Sequence, residues 1–158
     1  MLYIIANLLS GGGRGKKNLT AVEAYLKSEN IPYRLLISTY ATESIEHGKR
    51  CAADDECTRI AVLGGDGTFN ETISGLLEGG HSTPLGYIPA GSTNDFATSL
   101  KISSNVMQAA RDIMEGRPRT IDLGSFNGRC FSYVASFGAF TEAAYSTPQE
   151  VKNMLGHL

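Results

Sequence analysis

Short apolar runs alternate with segments of helical periodicity along most of the chain. Leu2 to Ala6 reads as a strand that ends in the loop Asn7 to Lys17. Leu19, Val22 and Leu26 then fall on one helical face. Asn30-Ile31-Pro32 breaks that helix ahead of a second strand, Tyr33 to Ile37. Thr42 is placed to cap a second helix, with Glu43 in the first turn, where the helix dipole favours an acid. Arg59 to Leu63 predicts a third strand, continuously apolar from Ile60 as a buried parallel strand should be. Asn70 to Leu77 predicts a helix with Ile73, Leu76 and Leu77 inward and a stop at Gly79-Gly80. Leu85 to Ile88 supplies a fourth strand, followed by a short helix near Asn94 to Leu100. A longer helix starts at a Ser103 or Ser104 cap and runs through Met107, Ala110, Ile113 and Met114 to Gly116, with Pro118 beyond. Strands alternating with helices in this way predict βαβ units and a mainly parallel, Rossmann-like α/β sheet flanked by helices.

The pattern changes near Arg119. Thr120 to Phe126 and Arg129 to Phe137 flank Asn127-Gly128, a strong hairpin signal. Phe131, Tyr133, Ala135 and Phe137 alternate as a half-buried antiparallel strand does, and Pro148 to Leu155 begins a helix. The expected organisation is an α/β domain over residues 1–118, then the start of an antiparallel β-rich domain over residues 119–158 that the chain leaves unfinished.

Composition narrows the classes. A chain of 158 residues with 42% hydrophobic and 19% charged residues can bury a core without disulfides or a structural metal. Lys and Arg number 14 against 16 Asp and Glu, a net charge of −2, which argues against a nucleic-acid binder. Cys51, Cys57 and Cys130 form no CxxC pair, and His47, His81 and His157 lie apart from them, so no zinc spacing occurs. The amino terminus lacks a basic lead, and no run approaches the ~20 apolar residues of a spanning helix. The expectation is a cytoplasmic protein with reduced thiols. Glycine stands out at 18 residues, well above a usual share of roughly 7%.

Those glycines cluster where strands meet helices. The first cluster, Ser10 to Lys17, fails the Walker pattern, because Ser10 replaces the first glycine and Lys17 the magnesium-holding hydroxyl. It fails the dinucleotide fingerprint as well, with Lys16 at the third glycine. Alone, it reads equally as a flexible connection. The second, Gly64-Gly65-Asp66-Gly67-Thr68-Phe69-Asn70, follows a buried strand, the place where open α/β sheets bind ligands. Glycines there let phosphate oxygens meet backbone N–H groups, with Thr68 and Asn70 offering side-chain hydrogen bonds. Asp66 is suited to orient a hydroxyl or a metal-bound water, with the polar cap of a tight turn as the lesser alternative. The third, Gly91-Ser92-Thr93-Asn94-Asp95-Phe96, taken singly suits helix capping. Beside the second it forms the other wall of a phosphate pocket.

The second and third clusters in this order, followed by Ile121-Asp122-Leu123-Gly124 and Asn127-Gly128-Arg129, resemble the diacylglycerol kinase catalytic-domain family of soluble bacterial lipid kinases and sphingosine kinases. Thr147-Pro148 and Leu155-Gly156 fit the same pattern. The resemblance implies ATP and magnesium as cofactors, a lipid alcohol such as diacylglycerol as acceptor, and transient contact at a membrane surface. It implies nucleotide contacts from Thr39, Gly64, Gly65, Asp66, Gly67, Thr68, Phe69, Asn70, Gly91 and Ser92. Asn7 and Gly11 match a further loop, in which Leu8 replaces a usual proline, and Ser92 replaces a usual threonine. The family's general base and magnesium-organising aspartate are expected beyond Leu158, which leaves Asp66 the one catalytic candidate here and the isolated chain inactive. Two alternatives stay open: an NAD kinase-like enzyme, which shares the Gly64 to Thr68 motif, and a non-catalytic nucleotide-binding or dimerisation module. A homodimer is left open too.

Overall fold

The computed structural model describes residues 1–133. The strand expected beyond Tyr133 and the helix expected at Pro148 to Leu155 lie outside the described residues.

Four parallel strands form the central sheet: β1 (Leu2–Asn7), β2 (Tyr33–Ser38), β3 (Arg59–Gly64) and β4 (Leu85–Pro89), in the order β2-β1-β3-β4. Among the described residues, five α-helices connect or follow them: α1 (Gly15–Ser28), α2 (Glu43–Ala52), α3 (Asp66–Glu78), α4 (Asp95–Ser99) and α5 (Val106–Glu115), with a 3-10 turn at Ser10–Gly13 ahead of α1. Side chains alternate across β1 and divide the core into two layers. Tyr3 and Ile5 pack with Cys51, Phe69, Ile73 and Leu76 of α2 and α3. Leu2, Ile4 and Ala6 pack with Leu19, Val22 and Leu26 of α1 and with Ala109 and Ala110 of α5. Both faces of the sheet are covered, which is why β3 reads as an unbroken apolar run. The hairpin turn forms as expected around Asn127 (φ +50°) and Gly128 (φ +74°), joining β5 (Gly124–Phe126) to β6 (Arg129–Phe131), but the first strand starts at Gly124 and not at Thr120. No helix among the described residues is long and apolar enough to cross a membrane.

Several local expectations need correction. Helix α3 begins at Asp66, directly after the glycines, and Leu77 points outward with 52% exposure, since it sits about 100° round the helix from buried Leu76. Helix α5 is capped by Asn105, not by Ser103 or Ser104: its side-chain oxygen accepts from the amides of Met107 (3.0 Å) and Gln108 (3.1 Å). Thr42 does occupy the N-cap position of α2, but at φ +70° its hydroxyl makes no capping bond.

Helices α2 and α3 touch through glycine. A Cβ on Gly75 would sit 2.0 Å from the Ile45 carbonyl oxygen and 3.0 Å from the Gly48 Cα. Gly75→Ala is therefore expected to destabilise the fold by about 1–3 kcal/mol through overpacking, read from the denaturation midpoint. An unchanged midpoint would mean that the two helices stand further apart.

Candidate functional site

The chain leaves β1 for β2 on one side and returns to β3 on the other, so β1 and β3 flank a topological switch point. The crevice beyond the carboxyl ends of such strands is the ligand site of open α/β sheets. The loops after β1, β3 and β4 converge there. A Cβ on Gly11, which has φ +62°, would lie 2.2 Å from the Ala90 carbonyl oxygen. A Cβ on Gly91 would lie 2.6 Å from the Gly65 Cα. Only glycine permits both approaches.

Side chains then tie the loops together. Asn7 donates to the Thr68 hydroxyl (3.2 Å) and accepts from the Leu9 amide (3.0 Å), joining the first loop to α3. Asn94, at φ +56°, folds back on Gly91, accepting from its N–H at 2.9 Å and donating to its carbonyl at 3.0 Å. Asp66 reaches across to the start of α4. Its carboxylate accepts from the amides of Asp95 (2.9 Å) and Phe96 (3.3 Å), from the Tyr87 hydroxyl (3.3 Å) and from the Thr93 hydroxyl (3.5 Å). It thus caps a neighbouring helix in place of a residue of that helix. Burial, followed by the nearby Asp66 charge, pushes the Tyr87 hydroxyl well above its usual pKa, so it stays protonated and able to donate.

The ten residues expected at the nucleotide divide by direction. Gly65, Gly67, Gly91 and exposed Ser92 gather around the crevice, and a Cβ on Gly67 would meet nothing within 4 Å, whereas Gly64 is buried against the Thr68 side chain. The N–H groups in the first turn of α3 have no earlier helical carbonyl to bind, and Gly65 offers no side-chain cap. Phe69 departs from the expectation: only 4% exposed, its ring packs against Tyr87 (centroids 4.7 Å apart) and Phe96 (4.9 Å), beneath the loop. Helical geometry turns it inward, so its side chain supports the site and does not line it. Thr68 is buried too, its hydroxyl engaged by Asn7. The Asn70 carboxamide faces the hairpin, with Oδ1 accepting from the Ser132 amide at 2.9 Å. Thr39, exposed after β2, donates from its amide (2.6 Å) and hydroxyl (3.1 Å) to the Glu43 carboxylate. The Thr42 amide bonds to Glu71 (3.2 Å), which brings this turn up to α3.

Asn7 and Asn94 are legible in the sequence only as members of a loop and a cluster, with no role of their own. Tyr87 is the structural member that the sequence does not single out, a Tyr amid apolar strand residues. A cavity of about 790 Å³ beside β4, lined among others by Arg59, Leu85, Tyr87 and Ile113, meets the two motifs only at the rings of Phe69 and Phe96 and touches none of their glycines. The candidate site is therefore the polar crevice, because that is where N–H groups and glycines converge. No group of three or more His, Cys, Asp or Glu able to hold a metal ion occurs among the described residues.

Residues 1–126 match the diacylglycerol kinase catalytic domain family. The chain belongs to that family. It is 40% identical over 159 residues to a diacylglycerol kinase of Bacillus subtilis (strain 168), covering 98% of this chain and 51% of that protein. A diacylglycerol kinase of Staphylococcus aureus (strain MRSA252) is 36% identical over 157 residues, covering 97% and 48%. A crystal structure of a diacylglycerol kinase from Bacillus anthracis str. Sterne aligns with TM-score 0.73 and 28% identity, over 82% of this chain and 47% of that one. The chain spans about half the length of these family relatives.

Two outcomes are expected from the site's own bonds. Asp66→Ala should lower stability by about 1–2 kcal/mol through loss of the cap on α4, with faster hydrogen exchange at the Asp95 and Phe96 amides. Unchanged exchange there would contradict the capping role. The Thr39 amide holds the Glu43 carboxyl below its ordinary pKa. Its contribution to stability is therefore present above the ordinary carboxylate range and lost as pH falls through the lowered folded value. Melting temperatures measured between about pH 3 and 6 should fall less steeply with acid in Glu43→Gln than in the wild type.

Proposed function

We propose that these residues form the nucleotide-binding part of an ATP-dependent lipid kinase, which transfers the γ-phosphate of ATP to the hydroxyl of diacylglycerol or a similar lipid alcohol. The observation that carries this reading is the start of α3, directly after β3 at the switch point, where Gly67 faces open space and no side chain caps the first-turn N–H groups. A helix N-terminus without side chains in the way suits a phosphate chain. Phosphoryl transfer asks chiefly for positioning and charge neutralisation, and backbone donors fixed by a helix supply both without reorganising.

In this reading Gly64 to Thr68 and Gly91-Ser92 meet the phosphates through backbone and hydroxyl groups, while Thr39 approaches the nucleotide from β2. Magnesium would arrive on the nucleotide, held mainly by phosphate oxygens and water, as this ion commonly is. Asp66 acts as a positioning residue, since four donors already surround its carboxylate. The base that accepts the lipid hydroxyl proton is then supplied from outside the described residues. The lipid acceptor places the reaction at a membrane surface, which a cytoplasmic enzyme meets peripherally.

Calorimetry with Mg·ATP, Mg·ADP and NAD tests the reading. Saturable adenine-nucleotide binding is expected in the wild type and lost in Gly65→Val, whose side chain would enter the gap to Gly91. Gly67→Ala separates binding from folding. Alanine in a helix is favoured over glycine by about 1 kcal/mol, so the variant should be at least as stable, yet bind nucleotide about tenfold more weakly, a loss of about 1.4 kcal/mol. Wild-type affinity in Gly67→Ala would remove the phosphates from this turn. Preference for NAD over ATP would favour the NAD kinase-like alternative. The 158-residue chain by itself should transfer little phosphate to diacylglycerol, measured with labelled ATP.

A further inference from the structure

A two-stranded hairpin is barely stable by itself in water, and β5-β6 is paired with no third strand among the described residues. Its support comes from α3. Asn70 donates from Nδ2 to the Cys130 carbonyl (3.4 Å) and accepts at Oδ1 from the Ser132 amide (2.9 Å). These are the two groups on either side of Phe131 that one residue of a neighbouring parallel strand would bind. Among the described residues, the Asn70 carboxamide therefore takes the place of a neighbouring strand. One turn further along, the Ser74 hydroxyl meets the Cys130 thiol at 3.3 Å, and Cys130 packs against the core layer under α3.

Asn70 lies three residues after Gly67 on the same rigid helix, one turn from the open N–H groups. We infer that Asn70 is a positioning residue that latches the antiparallel region to α3, so that the hairpin and the glycine loop respond to nucleotide as one unit. The coupling rests on the reading of that loop as a phosphate cradle; the latch does not. Because coupling is reciprocal, nucleotide that steadies the start of α3 must also steady the hairpin, and only while the latch is intact.

Hydrogen exchange by NMR on the 158-residue chain tests both parts. Without nucleotide, Asn70→Ala should speed exchange at the Ser132 amide by roughly 5- to 30-fold, the range expected when a bond or two is lost. Asn70→Asp keeps the acceptor and should restore most of that protection, while Ser74→Ala should leave Ser132 nearly unchanged. Saturating Mg·ATP should slow Ser132 exchange further in the wild type and not in Asn70→Ala. Unchanged Ser132 exchange in Asn70→Ala overturns the latch, and equal slowing by nucleotide in both proteins overturns the coupling. If Mg·ATP leaves the Gly65 to Thr68 amides unaffected, the cradle reading and the coupling fail together, and the nucleotide-free comparison still decides the latch. Should Asn70→Ala not fold, the through-hydrogen-bond scalar coupling between the Ser132 nitrogen and Asn70 Cγ decides it in the wild type: its presence supports the latch and its absence refutes it.

Discussion

Two contacts at glycine set the distance on which the site depends. Where Gly91 comes up to the Gly65 Cα and Gly11 to the Ala90 carbonyl, no side chain fits between the backbones. That spacing brings the loops after β1, β3 and β4 together over the switch point. Asp66 can then reach the amides of Asp95 and Phe96, and Asn7 can reach Thr68. Were the loops a side chain further apart, those bonds would open and buried polar groups would lose their partners.

Side chains and backbone carry different tasks around the crevice. Asn7, Asp66, Thr68, Tyr87 and Asn94 spend their hydrogen bonds on one another or on loop backbone. The rings of Phe69, Tyr87 and Phe96, tilted against one another, lie beneath as an apolar floor. What is turned toward open space is the start of α3, with Gly67 at its tip. A site made of fixed backbone dipoles suits a polyanion, because the donors are oriented before the ligand arrives.

Away from the crevice, polar residues hold the frame. Arg34 bonds to Asp54 (2.9 Å) and Glu56 (2.6 Å), and Tyr3 donates to Asp54, tying the second strand to the connection before the third. Burial raises the Tyr3 pKa, with the hydrogen bond to Asp54 acting in the same direction, so the phenol stays a donor at neutral pH. Arg59 donates to the carbonyls of Ile113 (2.5 Å) and Met114 (2.9 Å), fastening the end of α5 against the sheet. These bonds leave the strand ends at the crevice to the glycine loops.

The sequence by itself determined the strands, the helices and the hairpin. Strand and helix periods, the apolar run at Ile60 to Leu63 and the Asn127-Gly128 turn are local properties, legible one segment at a time. The Gly64 to Thr68 and Gly91 to Phe96 motifs pointed to the candidate site for the same reason. Strand order was not legible, because periodicity says which face is buried and nothing about which strand is the neighbour. The division of labour among site residues was not legible either. Whether Asp66 meets a ligand or caps α4, whether Phe69 lines a pocket or fills the core, and whether Asn70 points to phosphate or to the hairpin depends on residues tens of positions away. Side-chain direction is fixed by what packs against it, and only the tertiary structure supplies those partners.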